Sequence, residues 1–213
     1  GGVAGPSGSG GVGVCGGSGL CWRLGEVRGI KVVSPYGPPP DSLCLAGAGK
    51  RRVAVLPRHG RRHTIPPHRI NYRANVWAMR SLGVEAVISP CAAGSLQLAV
   101  KPGDFVVCDQ FVDRTGGRAD TFYDGPIVTH VSSAETYDPV LRELAIRTIR
   151  DHGIEVHGRG TVVVIGGQRF STKAEARWFS DAGWEVTHMT TYTEAWLCRE
   201  LGMCVVHISL ITD

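Results

Sequence analysis

The chain has 213 residues, 43% of them hydrophobic and 20% charged, which suits one sizeable domain around a single core. Its net charge of +4 carries no long basic run, since Lys50-Arg51-Arg52 and Arg58 to Arg62 are short, so composition argues against nucleic-acid binding and for a solvated basic face that draws in small anions. Seven cysteines without Cys-x-x-Cys spacing argue against a disulfide framework or a zinc site and fit a reducing cytoplasm, and no apolar run is long enough to span a bilayer.

Residues 1–10 are Gly/Ser-rich, lack the charged and apolar regions of a signal peptide, and read as a flexible tail ahead of one domain at 11–213. Strand-like runs follow at 12–15 and 29–34, and the runs 43–48 and 52–57 read as a hairpin. A helix is expected over 69–82, burying Ile70, Ala74, Trp77 and Ser81 at helical spacing and stopped by Gly83. Strands at 85–89 and 104–109 precede a helix at 138–152. A strand at 161–165 leads to a helix at 172–182, which opens on a capping box, Thr172 with Glu175. A strand at 185–189, a helix at 193–202 and a strand at 203–209 complete the pattern. No repeat or linker divides it, and the alternation is that of an α/β domain.

Three strand ends carry the chemistry. Val12-Gly13-Val14-Cys15 enters the turn Gly16-Gly17-Ser18-Gly19, which exposes backbone N–H groups to an anion. The run Val53 to Leu56 ends in Pro57-Arg58-His59-Gly60, delivering a planar fork of donors and an imidazole to the sheet edge. The small-residue turn Cys91-Ala92-Ala93-Gly94-Ser95 follows the strand at 85–89. In such sheets the carboxyl ends of the strands converge where ligands bind. Together these segments suggest a phosphate site.

Gly16-Gly17-Ser18-Gly19, Pro35-Tyr36-Gly37-Pro38-Pro39, Pro57-Arg58-His59-Gly60 and His68-Arg69-Ile70-Asn71-Tyr72-Arg73-Ala74-Asn75 resemble the trimeric purine nucleoside phosphorylase family. The branch they are most similar to is the S-methyl-5′-thioadenosine phosphorylases. Ala93-Gly94-Ser95-Leu96, Asp109 to Thr115, Thr121 to Gly125, Arg169-Phe170-Ser171-Thr172 and Met189-Thr190 agree with it in order, from about Gly11 to Asp213. The resemblance implies a mixed central β-sheet flanked by helices, a homotrimer, and phosphorolysis of a nucleoside with inorganic phosphate as co-substrate and no metal or organic cofactor.

The same likeness places Ser18, Arg58, His59, Cys91, the backbone N–H of Ala92, and Thr190 around phosphate. Cys91 departs from the Thr of many relatives, and a thiol is the weaker donor. Met189 would lie under the sugar and Phe170 beside the purine, although on spacing alone both would more often be core residues. Ser171 is either a base contact or a helix cap. Asp213 would hydrogen-bond the leaving base or act as general acid, favouring a 6-aminopurine, since relatives that prefer 6-oxopurines carry Asn. His130 is expected to reach a neighbouring subunit's pocket near the 5′ substituent, or to be an ordinary loop histidine. Gly166, Gln168 and His188 stand where Glu, Pro and Asn are more usual. Members of the family continue past this point with a loop and a long C-terminal helix, so the resemblance implies that part of the substrate cover is missing here. The expected activity is cleavage of methylthioadenosine; the alternatives are cleavage of inosine or guanosine, and a non-catalytic relative that keeps the pocket.

Overall fold

A computed structural model describes residues 11–16, 28–48 and 51–213. The elements in order are β1 (Gly11–Gly16), β2 (Arg28–Ile30), β3 (Leu43–Ala48), β4 (Arg51–Pro57), α1 (Tyr72–Ser81), β5 (Val84–Ser95), β6 (Phe105–Val107), β7 (Gln110–Arg114), α2 (Pro139–Asp151), β8 (Val156–His157), β9 (Thr161–Ile165), α3 (Lys173–Asp181), β10 (Val186–His188), α4 (Thr191–Glu200) and β11 (Cys204–Ile211). A 3-10 turn at Pro67–Arg69 precedes α1.

The expected mixed sheet flanked by helices is present. One path of strands runs β2-β3-β4-β1-β5-β10-β9-β7, and β11, β6 and β8 extend from the other side of β5. Strands β4, β1, β5 and β11 are mutually parallel, and the hairpin pair β3 and β4 is antiparallel. The parallel strands are apolar runs because α1 and α4 cover one face of the sheet while α2 covers part of the other, over β11, β6 and β8; Cys15, Val55, Leu56, Val87 and Val205 are at most 1% exposed. α1 packs so closely on β1 that a side-chain carbon on Gly13 would come 2.8 Å from Met79 Cε.

β5 is the pivot. Its first half pairs with β1 through Ile88, its length from Ala86 to Ala93 pairs with β11, and Gly94 and Ser95 pair antiparallel with β10. The expected end at 89 fails because Pro90 lacks only a donor, and β11 continues alongside with Ile208 opposite it. The expected strand 104–109 stops at Val107; after Cys108 and Asp109 the chain crosses to the far side as β7, beside β9. The strand expected at 29–34 is confined to β2.

Helix α1 starts three residues later than expected. Pro66 and Pro67 shape the 3-10 turn, and the Asn71 side chain accepts the Ala74 N–H at 3.1 Å, fixing the start. Its buried face is Tyr72, Ala74, Asn75, Val76, Ala78 and Met79. Ile70 is buried ahead of the helix, Trp77 is half-buried and Ser81 is exposed, so the expected face was turned. The capping box on α3 is formed as expected, with both Thr172 and Glu175 bonds made. Among the described residues no helix is long and apolar enough to cross a membrane.

Candidate active site

β1 and β4 end side by side at Gly16 and Pro57, and the longer parallel β5 and β11 run on past that edge. Arg58 directly follows β4, and its backbone N–H donates to the Gly16 carbonyl at 3.3 Å. Arg58 as a whole is 1% exposed, so its side chain is not an open fork. Nε donates to Glu194 Oε2 at 2.9 Å and Nη2 to Glu194 Oε1 at 2.8 Å. Nη2 also contacts Ser89 Oγ and the Cys15 carbonyl, and Nη1 donates to the Pro90 carbonyl at 3.1 Å. Of the guanidinium's five N–H groups, one on Nη1 has no partner among the described residues. Burial opposes the charge of Arg58, but the Glu194 carboxylate outweighs it and raises the pKa further above its ordinary value. The pair therefore offers an oriented N–H and little net charge.

His59 is 8% exposed, its Nδ1 lies 2.8 Å from the Ile65 carbonyl, and its ring stacks on His63 at 4.4 Å. Burial lowers its pKa, and Arg58 and His63 lower it further against the opposing hydrogen bond. Cys91 Sγ lies 3.6 Å from Thr190 Oγ1, so β5 and the N-terminus of α4 bring these two expected phosphate residues together. Burial raises the Cys91 pKa and keeps it a thiol. Ser18 lies outside the described residues.

Asp213 continues the β11 pairing. Its carbonyl accepts the Ser95 N–H at 2.8 Å, and Oδ1 accepts from the Thr212 hydroxyl at 2.8 Å. A side-chain carbon on Gly94 would lie 3.4 Å from Asp213 Oδ2, so this carboxylate sits over the end of β5; Ala92, expected in a turn, is inside that strand, opposite Leu210. Met189 is half-buried, its sulfur 3.5 Å from where a carbon on Gly167 would be. Gly167 itself, with φ +100°, is required by Pro67, which a side-chain carbon there would meet at 2.6 Å.

Ser171 is not the helix cap, because Thr172 holds that position. Its buried Oγ has no partner among the described residues and borders a cleft of about 360 Å³ with Arg114, Gly166, Gln168 and Trp178. That cleft takes in neither Arg58 nor Thr190. Phe170 is 82% exposed, so it is no core residue. His130 is exposed in the irregular 115–138 connection.

Three contributors had no local signal in the sequence. Glu194 and Ser89 hold Arg58, and the Ser89 hydroxyl also donates to Glu194 Oε1 at 2.6 Å. Arg118 donates to the carbonyls of Gly166, Met189 and Tyr192 at 2.9, 2.7 and 2.6 Å. A glutamate that stays 0% exposed inside a helix is the trace that could have revealed the first of these.

The Phosphorylase superfamily matches residues 12–213. The chain belongs to that family. It is 49% identical over 204 residues to the S-methyl-5′-thioadenosine phosphorylase of Thermofilum pendens, covering 95% of this chain and 78% of that one. It is also 49% identical to the purine nucleoside phosphorylase of Streptomyces coelicolor, covering 95% and 75%. The methylthioadenosine phosphorylase of Schistosoma mansoni in complex with tubercidin superposes with a TM-score of 0.91 at 36% identity, covering 96% of this chain and 80% of that one.

Proposed function

We infer that this member of the phosphorylase superfamily is a pentosyltransferase that cleaves S-methyl-5′-thioadenosine with phosphate, giving adenine and 5-methylthioribose 1-phosphate. The observation that carries the reading is the convergence of Arg58, Cys91 and Thr190 at the strand ends in a chain 49% identical to an enzyme of that name. A phosphate oxygen attacks the anomeric carbon, the bond from that carbon to the purine nitrogen breaks, and the departing base takes a proton or hydrogen bond.

In this reading Thr190, Cys91, His59, the Ala92 N–H, Ser18 and the remaining Arg58 N–H hold phosphate. Met189 lies under the sugar, Phe170 and Ser171 border the base, and Asp213 receives the hydrogen bonds of an adenine. His130 completes the pocket of a neighbouring copy in a homotrimer, and 11–213 forms one domain that works in a reducing cytoplasm. Phosphate is the co-substrate and no further cofactor takes part.

A second reading, cleavage of ordinary purine nucleosides, is favoured by the name of the Streptomyces relative. Purified protein with methylthioadenosine, adenosine and inosine, with and without phosphate, separates the two. Phosphate-dependent release of adenine from methylthioadenosine is expected. Faster release of hypoxanthine from inosine would overturn the first reading, and no base release at all would overturn both.

A further inference from the structure

The peptide unit between Met189 and Thr190 is gripped at both polar ends. Its carbonyl accepts from Arg118 Nη2 at 2.7 Å, and its N–H donates to His188 Nδ1 at 3.2 Å. The two groups of a trans peptide point in opposite directions, so the grips oppose each other and fix the rotation of the plane. Arg118 reaches in from the 115–138 connection, stacked 5.1 Å over Tyr72, and the same guanidinium ties the end of β9 at Gly166 and the start of α4 at Tyr192. His188 is 5% exposed and lies flat on His207 at 4.4 Å and 11°, while His207 Nε2 sits 2.9 Å from Ser209 Oγ. A ring nitrogen that accepts the N–H two residues on imitates the Asx turn, in which Asn or Asp oxygen fills that role.

We propose that His188 and Arg118 are positioning residues that set the Met189–Thr190 peptide, and through it the relative placement of the Met189 sulfur and the Thr190 hydroxyl. This rests on the phosphorolysis reading, in which those two side chains face sugar and phosphate. His188 acts only while Nδ1 is bare, with its proton on Nε2. The groups facing the ring are His207 on β11, Arg58 after β4, itself paired with Glu194 of α4, and Arg118. Burial first, then these neighbours, disfavour an imidazolium and keep Nδ1 an acceptor near neutral pH. Acid forces a proton onto Nδ1, and Thr190 N–H loses its acceptor. An Asn at the same place accepts the N–H and does not titrate.

The test compares wild type, His188→Asn, His188→Leu and Arg118→Lys by steady-state phosphorolysis and by exchange of the Thr190 amide, from about pH 7.5 down to the lowest pH at which the protein stays folded, because burial holds His188 well below the ordinary histidine range. His188→Leu is expected to raise KM for phosphate and to speed the amide exchange by about tenfold each, the size of one net hydrogen bond. His188→Asn restores both and removes the part of the acid-side rise in phosphate KM that belongs to the protein; phosphate's own titration is common to all forms. Arg118→Lys raises KM for nucleoside and phosphate together, since an ammonium cannot bridge three carbonyls in a plane. KM and exchange left within about twofold by His188→Leu would overturn the proposal. If His188→Leu does not fold, the pH profile of His188→Asn decides, and an unchanged acid-side rise overturns it. If wild type releases no base, the phosphorolysis reading fails, and Thr190 exchange still judges the clamp by the same criterion.

Discussion

Arg58 and Glu194, 136 residues apart in sequence, neutralise each other out of reach of water. Removing one partner leaves the other charged and buried, so Arg58→Ala is expected to cost about 3–5 kcal/mol of stability as well as phosphate affinity. A denaturant midpoint that stays at the wild-type value would show that the pair does not hold this edge together. Asp213 is exposed yet tied by its carbonyl to Ser95, which makes it a fixed acceptor over the end of β5. Asp213→Asn puts a donor there and is expected to move the ratio of methylthioadenosine to inosine turnover toward inosine; an unchanged ratio would remove Asp213 from base selection. Arg58 and His59 were legible as candidates because they directly follow an apolar strand in a short motif; Cys91, which lies inside β5, and Thr190, at the start of α4, were named by the resemblance alone. Glu194 and Arg118 were not legible, because nothing local says which distant carbonyl or cation a buried charge will meet.

At the level of elements, the tightest fit is the crossing of Gly167 over Pro67, beside Met189. Gly167→Ala combines a clash at 2.6 Å with a φ of +100° and is expected to destabilise the protein by about 1–3 kcal/mol and to raise KM for the nucleoside, read from thermal melts and kinetics. Wild-type values for both would mean that the loop yields freely. Helices declared themselves through their ends: Asp138 before Pro139, and Thr172 with Glu175, mark boundaries that the structure keeps within a residue. The α1 boundary was lost because Asn71, an equally good cap, sits inside a run that already alternates as a helix does. Strands β7 and β8 were missed for a different reason. Gln110 to Arg114 carry polar residues, and β8 has only two residues, so neither reads as an apolar run; main-chain pairing holds them, β7 along β9 and β8 along the three-residue β6.

The whole molecule holds two buried imidazoles in contact, and their titration reaches its global stability. Burial lowers both; Arg58 adds to this for His207, taking it to about 3, and His207, Arg58 and Arg118 add to it for His188. The unfolded chain takes up protons near the ordinary histidine value of about 6.5, where the folded chain does not. Stability is therefore full above that value and is lost as pH falls from it toward about 3 for His207. Melting temperatures should drop between about pH 7 and about pH 5 in wild type and drop less in His188→Asn; equal slopes would assign the acid sensitivity to other groups. Assembly is tested by sedimentation at micromolar concentration, where a trimer is expected and a monomer would remove His130 from any shared pocket. The course of β5 also bears on how relatives of this chain can vary in length. One residue inserted between Ser89 and Ala93 would turn every later side chain of the strand to the other face, against β11, and would at once shift Gly94 and Ser95 out of step with β10. No compensating change in a single neighbour could absorb that, so insertions and deletions should be purged from this strand across lineages. They should collect instead in exposed turns that no strand pairing crosses, such as 151–154 at the end of α2, where an added residue displaces mostly water.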